Sequence, residues 1–336
     1  MNSRWMAIVV AAITMATSKY SYAEQGDESA LIQLRSQHAI GALFGLPAVA
    51  ARPVQTREWQ FSLEHSNQYM GGTTAEESLL LDGETSELTI RHRQRLGPCV
   101  QLEAVVPFIQ HSGGSFDKAI DKWHRVFGLP DANRGDAPYD AFYYGYANSD
   151  GDEIRLDSAH SGIGDIQISV QRSLGCYATS DSTGSELIAR MGIKLPTGAL
   201  KELTGSGEFD YFADFQSPVL SKGGKWRAGA AIGALYLGRA DLIPNQNTLV
   251  AYGTFGAQYV LTSKFRLLTQ LDWHTPFYQS QLRELGSNAV SLSAGVRFLG
   301  PADQTLEFTI SEDAAIDTTP DIVAKLSWTY RPSGGR

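Results

Sequence analysis

Few side chains in this sequence have the types and spacing for chemistry. Asp117, Asp121 and His124 stand at Asp-x-x-x-Asp-x-x-His spacing, which on a helix puts them on roughly one side. A metal or acid–base site could be built there. The favoured reading is a solvated face, with Asp117 near a helix start, where the helix dipole stabilises a carboxylate. His65 and His92 could serve a serine nucleophile, but no Gly-x-Ser-x-Gly elbow accompanies either. No Cys/His metal cluster, P-loop or dinucleotide fingerprint is present. The chain is therefore read as a non-enzyme without cofactor or metal.

The remaining charged side chains are ordered by strand geometry. Arg91, Arg93 and Arg95 recur at every second position, opposite Leu88, Ile90, His92 and Leu96. A period of two is the strand period. The same alternation starts at Glu58 to Ser66, where Trp59, Phe61, Leu63 and His65 oppose Glu58, Ser62 and Glu64. Twelve such segments follow one another, the last ending at Tyr330. The polar faces carry Glu58, Glu64, Arg91, Arg93, Arg95, Glu103, Arg190, Lys194, Asp210, Asp214, Arg227, Arg266, Asp272, Arg297, Glu307 and Lys325. This set reads either as a selectivity surface in a pore or as cross-strand ion pairs that plug a lumen. The second is favoured for a barrel of about twelve strands.

Composition agrees with a strand-built membrane protein. The 336 residues include 33 glycines and 13 prolines, and the formal net charge is −8. No basic patch of the density nucleic acid needs is present. After the first 23 residues no run of 18 uncharged apolar residues occurs, so a spanning helix is not expected. A mature chain in a membrane must then be a closed barrel, which satisfies its backbone inside lipid. Residues 1–23 have the form of a cleaved secretory signal peptide: Arg4, an apolar run from Met6 to Met15, and Ser21-Tyr22-Ala23. Residues 24–56 are irregular and read as a periplasmic lead-in or a lumen plug.

The links between strands alternate in length. Gly97-Pro98, Lys222-Gly223-Gly224, Thr262-Ser263 and Gly300-Pro301-Ala302-Asp303 form tight turns after strands 2, 6, 8 and 10. The links after strands 1, 3, 5, 7, 9 and 11 are usually longer, and an even strand count leaves both chain ends in the periplasm. Trp59, Trp226, Tyr236, Tyr259, Trp273, Trp328 and Tyr330 sit near strand ends, as interfacial girdles require. Cys99 begins the third strand and Cys176 follows the fourth. Both fall at the periplasmic ends of neighbouring strands, where a disulfide is expected. The insertion 111–162 carries Phe116, Ile120, Trp123 and Phe127 at helical spacing, ended by Gly128 and Pro130. An aromatic stretch, Tyr139 to Tyr146, follows and suits a hairpin above the membrane. A structured loop of this length is usually functional or a lid.

Several of these stretches resemble a family of bacterial outer-membrane proteins known as domain of unknown function 3187. They are Ser112-Gly-Gly-Ser-Phe-Asp117, Trp123-His-Arg-Val-Phe-Gly-Leu-Pro-Asp131 with His124 and Arg134, Gly162-Ile-Gly-Asp165, Lys194-Leu-Pro-Thr-Gly198 and Leu203-Thr-Gly-Ser-Gly207. The last two are also similar to the outer-membrane proteins of the phenol meta-cleavage pathway. The resemblance covers nearly the whole mature chain. It implies a barrel and, by analogy, uptake of small apolar or aromatic solutes. The tail 331–336 departs from the terminal aromatic usual in such barrels.

The expectation is an all-β, transmembrane, antiparallel up-and-down barrel over 57–330, placed in the outer membrane through the barrel-assembly machinery. Its partners are outer-membrane lipid and a small solute, and not nucleic acid. The alternatives are a structural or surface-interaction barrel without conduction, and a membrane-embedded lipid hydrolase.

Overall fold

The computed structural model describes residues 29–34, 36–49, 56–114, 122, 140–174, 187–301, 304–314 and 318–332. The period-two segments become strands: β1 (Arg57–Thr73), β2 (Glu77–Arg95), β3 (Val100–Ser112), β4 (Tyr143–Asn148), β5 (Glu153–Leu156), β6 (His160–Ile163), β7 (Gln167–Ser173) and β8 (Ile188–Lys194). They continue with β9 (Asp210–Gly223), β10 (Trp226–Tyr236), β11 (Leu249–Val260), β12 (Phe265–His274), β13 (Ala289–Leu299), β14 (Gln304–Asp313) and β15 (Ile322–Tyr330). Twelve of them, β1 to β3 and β7 to β15, pair antiparallel with their neighbours. The ring closes where β1 meets β15, with Trp59 opposite Tyr330 and Asn67 opposite Ile322. No sheet edge is left in the ring, so the backbone needs no water at membrane depth.

Burial is inverted relative to a water-soluble barrel. Leu63, Phe215, Phe255 and Ile232 point outward and are exposed, at 52%, 53%, 55% and 60%. Their polar neighbours, among them Ser62, Asp214, Thr254 and Gln216, point inward and are buried. Such a surface is costly in water and favoured in hydrocarbon. Aromatic pairs ring the rim that carries Arg57 and Tyr330, here the inner rim. Trp226 lies 4.9 Å from Tyr259, Phe61 lies 5.7 Å from Trp328, and Phe265 lies 5.2 Å from Phe298, between ring centroids. Among the described residues no helix is long and apolar enough to cross a membrane.

The first hairpin differs from expectation. Residues 67–86, expected to be a long link, are strand: β1 and β2 pair continuously from Arg57–Gln94 to Thr73–Ser78. The reason is a change of face partner. Met70, Leu79 and Leu81 are buried in an apolar cluster at the outer end, so the strand pattern is useful beyond the membrane. The β4–β5 hairpin anticipated near Tyr139–Tyr146 adds to this extension, with Asp82 opposite Tyr143 and Tyr144 opposite Leu156. On the other side β6 and β7 both pair with β3, interrupted at Gly164-Asp165-Ile166.

The core lies inside the ring. Residues 29–34 and 36–49 occupy the lumen, with Ala30, Leu31, Ile32, Ile40 and Phe44 fully buried. The segment rises from Ser29, beside Arg297 near the inner rim, to a helical turn at Ala39–Ala42. There Phe44 stacks on Phe277 and meets Tyr278 edge-on, with centroids 5.1 and 5.6 Å apart. It turns back at Gly45, whose φ of +63° is left-handed, and descends past Ala48. The lumen thus carries an apolar cluster toward its outer end, above ion-paired rungs nearer the inner rim.

Candidate functional site

The lumen wall is the candidate site, and it is built from the inward rungs of the strands. Glu103 on β3 receives Arg93 Nε at 2.6 Å and Arg91 Nη1 at 2.9 Å, with Arg190 Nη1 at 3.7 Å. Arg93 also reaches Glu58 at 3.0 Å, and Arg331 reaches the other oxygen of Glu58 at 2.8 Å. Arg190 forms the next knot, with Nη2 2.7 Å from Asp214, whose carboxylate also accepts the Tyr252 hydroxyl at 2.7 Å. Arg297 pairs with Glu307 at 2.6 Å and Lys325 with Glu64 at 3.1 Å. Opposite charges on adjacent strands share register: Arg93 faces Glu103, Arg190 faces Asp214 and Arg297 faces Glu307. The strand pairing therefore dictates the ion pairs. Pairing and hydrogen bonding are what make so many buried charges tolerable.

Three residues of the expected ladder are placed differently. Arg95 is exposed at the inner rim, where it donates to Gly97 O and Pro98 O; β2 ends there, so its side chain turns to the tight link. Arg266 is buried but donates to the carbonyls of Thr262 and Phe265 at its own turn. Arg227 is half-buried beside the β9–β10 turn.

Sequence reasoning left residues 24–56 as a lead-in or a lumen plug and missed the side chains that hold residues 29–49. Among the described residues, Gln68, Gln167, Arg190, Gln270 and Arg297 of the lumen wall bind the backbone of the N-terminal segment. Gln270 Oε1 accepts from Ile32 N at 2.7 Å while its Nε2 donates to Ile32 O at 3.0 Å. Arg297 donates to Ser29 O at 2.6 Å and Leu31 O at 3.1 Å. Gln68 accepts from Ala39 N at 3.0 Å, Gln167 donates to Gly45 O at 3.0 Å, and Arg190 donates to Ala48 O at 3.1 Å. The available signal was glutamine at inward rungs, a side chain that both donates and accepts and so suits a peptide group.

Two glycine-rich motifs converge on one carboxylate. Asp165, at the interruption between β6 and β7, takes Lys194 Nζ at 2.5 Å, Gly198 N at 2.8 Å and Ser206 N at 3.0 Å. Lys194 also reaches Asp210 at 2.9 Å and donates to Ser206 Oγ. A Cβ on Gly198 would lie 2.5 Å from Thr204 O, and one on Gly205 would collide with the Asp165 carboxylate. Gly162-x-Gly-Asp165, Pro196-Thr-Gly198 and Thr204-Gly-Ser-Gly207 thus form one loop anchor at the outer rim.

His65, expected on the lipid side, bonds Ser86 Oγ through Nδ1 at 2.9 Å with Nε2 3.2 Å from Glu84; His92 stacks on Trp59, centroids 4.0 Å apart. Among the described residues no cluster of His, Cys, Asp and Glu could hold a metal. Phe116, Asp117, Asp121, Trp123, His124, Phe127 and Arg134 of the outer loop, Cys176, and residues 1–28 lie outside the described residues. Cys99 precedes β3, and its carbonyl accepts from Ser173 N at 3.0 Å.

A closed antiparallel ring with an apolar exterior and an ion-paired interior is the fold of an outer-membrane β-barrel. Residues 5–332 match the family described as Protein of unknown function (DUF3187), and the chain belongs to that family. No curated protein matches the chain in sequence. Among solved structures it is similar to an outer-membrane channel from Pseudomonas putida F1, with a TM-score of 0.53 and 13% identity over 84% of this chain and 97% of that one. That likeness concerns the fold. Also similar are the CymD monoaromatic hydrocarbon channel (TM-score 0.42, 9% identity, 91% and 95% covered) and the P. putida toluene transporter TodX (0.41, 10%, 91% and 98%).

Proposed function

We propose that the protein is exported by its N-terminal signal, is assembled into the outer membrane, and there binds or passes a small solute of apolar or aromatic character through a lumen that its own N-terminal segment closes. The observation that carries this reading is the two-way clasp of Gln270 on Ile32, with Arg297, Gln68, Gln167 and Arg190 holding further backbone groups of the same segment. A wall made only for strength needs its ion pairs, not a set of side chains that grip the backbone of a separate segment. An apolar cluster in the outer half, where Phe44 meets Phe277 and Tyr278, gives an apolar solute a place to enter. The fold shared with an outer-membrane channel supports the same reading.

Liposome swelling and uptake measurements with the purified, folded protein test it. The expected result is entry of small aromatic solutes and little entry of charged sugars or ions. No solute entry, in the wild type or in a variant with the clasp removed, overturns it. The second reading, a structural barrel without conduction, is supported by the ion-paired lumen and would then stand.

A further inference from the structure

Lipid-facing positions of the ring are apolar as a rule, and one row departs from it. Leu63, Leu88 and Phe108 lie side by side in register on β1, β2 and β3, exposed at 52%, 48% and 49%. Two residues further toward the outer end, on the same face, come His65, Ser86 and Gln110, again side by side in register. His65 stands eight residues up from Arg57 on β1. That is about 27 Å of strand, or about 20 Å of height at the tilt usual in such barrels, toward the outer edge of an apolar band about 25 Å tall. An ionisable side chain at membrane depth is costly and by default marks function.

His65 Nδ1 lies 2.9 Å from Ser86 Oγ, and its Nε2 lies 3.2 Å from Glu84 Oε2. In the neutral ring Nδ1 accepts from the hydroxyl only when the ring proton is on Nε2, the side that faces Glu84. Glu84 sits one row further out and is buried, and its Oε1 accepts from Asn67 Nδ2 at 3.1 Å. Ser86 is half-buried and so within reach from outside. A hydroxyl, an imidazole and a buried, oriented carboxylate, in that order, are the parts of an activated serine nucleophile. The Nε2–Glu84 contact is at ion-pair distance but off the line of a hydrogen bond; such contacts often tighten only when substrate is bound. His92, also lipid-facing, stands opposite Trp59 and Ala104 in register, neither of which offers a hydroxyl.

We propose that Ser86, His65 and Glu84 form a hydrolase site on the outside of the barrel, which cleaves the ester of an acyl chain in an outer-leaflet lipid. Ser86 Oγ attacks the ester carbonyl carbon while His65 Nδ1 takes the hydroxyl proton. The C–O bond to the lipid alcohol breaks, and His65 gives that proton to the leaving oxygen. Water then attacks the acyl carbon on Ser86 and passes a proton to His65, which returns it to Ser86 Oγ as the fatty acid leaves. Glu84 is a positioning residue that holds the ring and faces the imidazolium. Gln110 stands directly opposite Ser86, and such pairs have Cβ atoms about 4.5–5.5 Å apart, so its amide N–H can donate to the oxyanion. The acyl chain lies along Leu63, Leu88 and Phe108, with the ester at the row above. The site is independent of whether the lumen passes a solute.

The test uses the full mature protein, folded in detergent and mixed with phosphatidylethanolamine micelles or with lipopolysaccharide, and measures free fatty acid by mass spectrometry. A long-chain alkyl fluorophosphonate, which modifies activated serines, is located in parallel by peptide mapping. The expected result is fatty acid from at least one of the two lipids, which identifies the acyl source, and a label on Ser86. Ser86→Ala abolishes both signals, and His65→Gln lowers release at least about 100-fold, each with the melting curve of the folded barrel retained. Glu84→Gln lowers kcat with KM unchanged, and Glu84→Asp restores part of it. No fatty acid from either lipid, no label on Ser86, or release that persists in folded Ser86→Ala overturns the proposal. An unchanged kcat in Glu84→Gln overturns the role given to Glu84.

Discussion

At the scale of single residues, the lumen works by pairing most of its buried charges, and its weak points are predictable. Gly45 turns the N-terminal segment back at φ +63°, and a Cβ there would collide with the Lys194 side chain. Gly45→Ala is expected to weaken docking of the segment by about 1–3 kcal/mol, read as faster protease cleavage within 29–49 while the barrel itself stays resistant. His38 titrates in the opposite sense to a salt-bridged histidine. It lies on the N-terminal segment, outside the membrane-spanning strands, and its Nδ1 accepts from Gly41 N at 3.2 Å, which requires the neutral ring. Burial, with a smaller contribution from nearby His274, pushes it from 6.5 down to about 3. The undocked segment therefore binds a proton that the docked one refuses. Docking is at full strength above pH 6.5 and weakens as the pH falls toward 3, by about 2 kcal/mol at pH 5. Protease sensitivity of the segment should rise across that window in the wild type and stay flat in His38→Gln. A flat wild-type profile refutes the linkage.

At the scale of elements, the strands were legible because one physical rule repeats. Apolar residues face lipid and polar residues face the lumen, so Trp59-Phe61-Leu63 and Phe265-Leu267-Leu271 announce themselves. Register was legible in outline, since charges of opposite sign fall on adjacent strands. The grip on the N-terminal segment was not. Its wall side chains lie 29 to 268 positions from the residues they hold, a separation that local pattern does not encode. The extended β1–β2 hairpin was hidden for a related reason: Met70, Leu79 and Leu81 face an apolar cluster rather than lipid or water, which shifts the pattern above the membrane. The cysteine pairing belongs to this scale as well. Cys99 O accepts from Ser173 N, three positions before Cys176, so the two chain stretches run side by side at the inner rim. A Cys99–Cys176 disulfide is expected, seen as one linked peptide pair in non-reducing maps that separates on reduction. Its loss should lower thermal stability by about 2–4 kcal/mol. Two unlinked thiols in oxidised protein would contradict it.

At the scale of the whole molecule, the barrel is a closed wall around residues 29–49, with an apolar cluster toward its outer end. The ion pairs tie neighbouring strands together, and on the proposed reading the segment 29–49 closes the lumen. Single-channel conductance in planar bilayers tests this most directly, with the wild type compared to Gln68→Ala/Gln270→Ala. These two glutamines bind the backbone of Ala39 and Ile32, and their removal breaks no ion pair, although Asp272 then loses the hydrogen bonds from Gln270 Nε2 and keeps that from Thr254. The account predicts a nearly silent wild type and frequent, longer openings in the double variant, with its thermal stability otherwise retained. A wild type that conducts steadily, or a folded double variant as silent as its parent, would contradict a lumen closed by its own N-terminal segment.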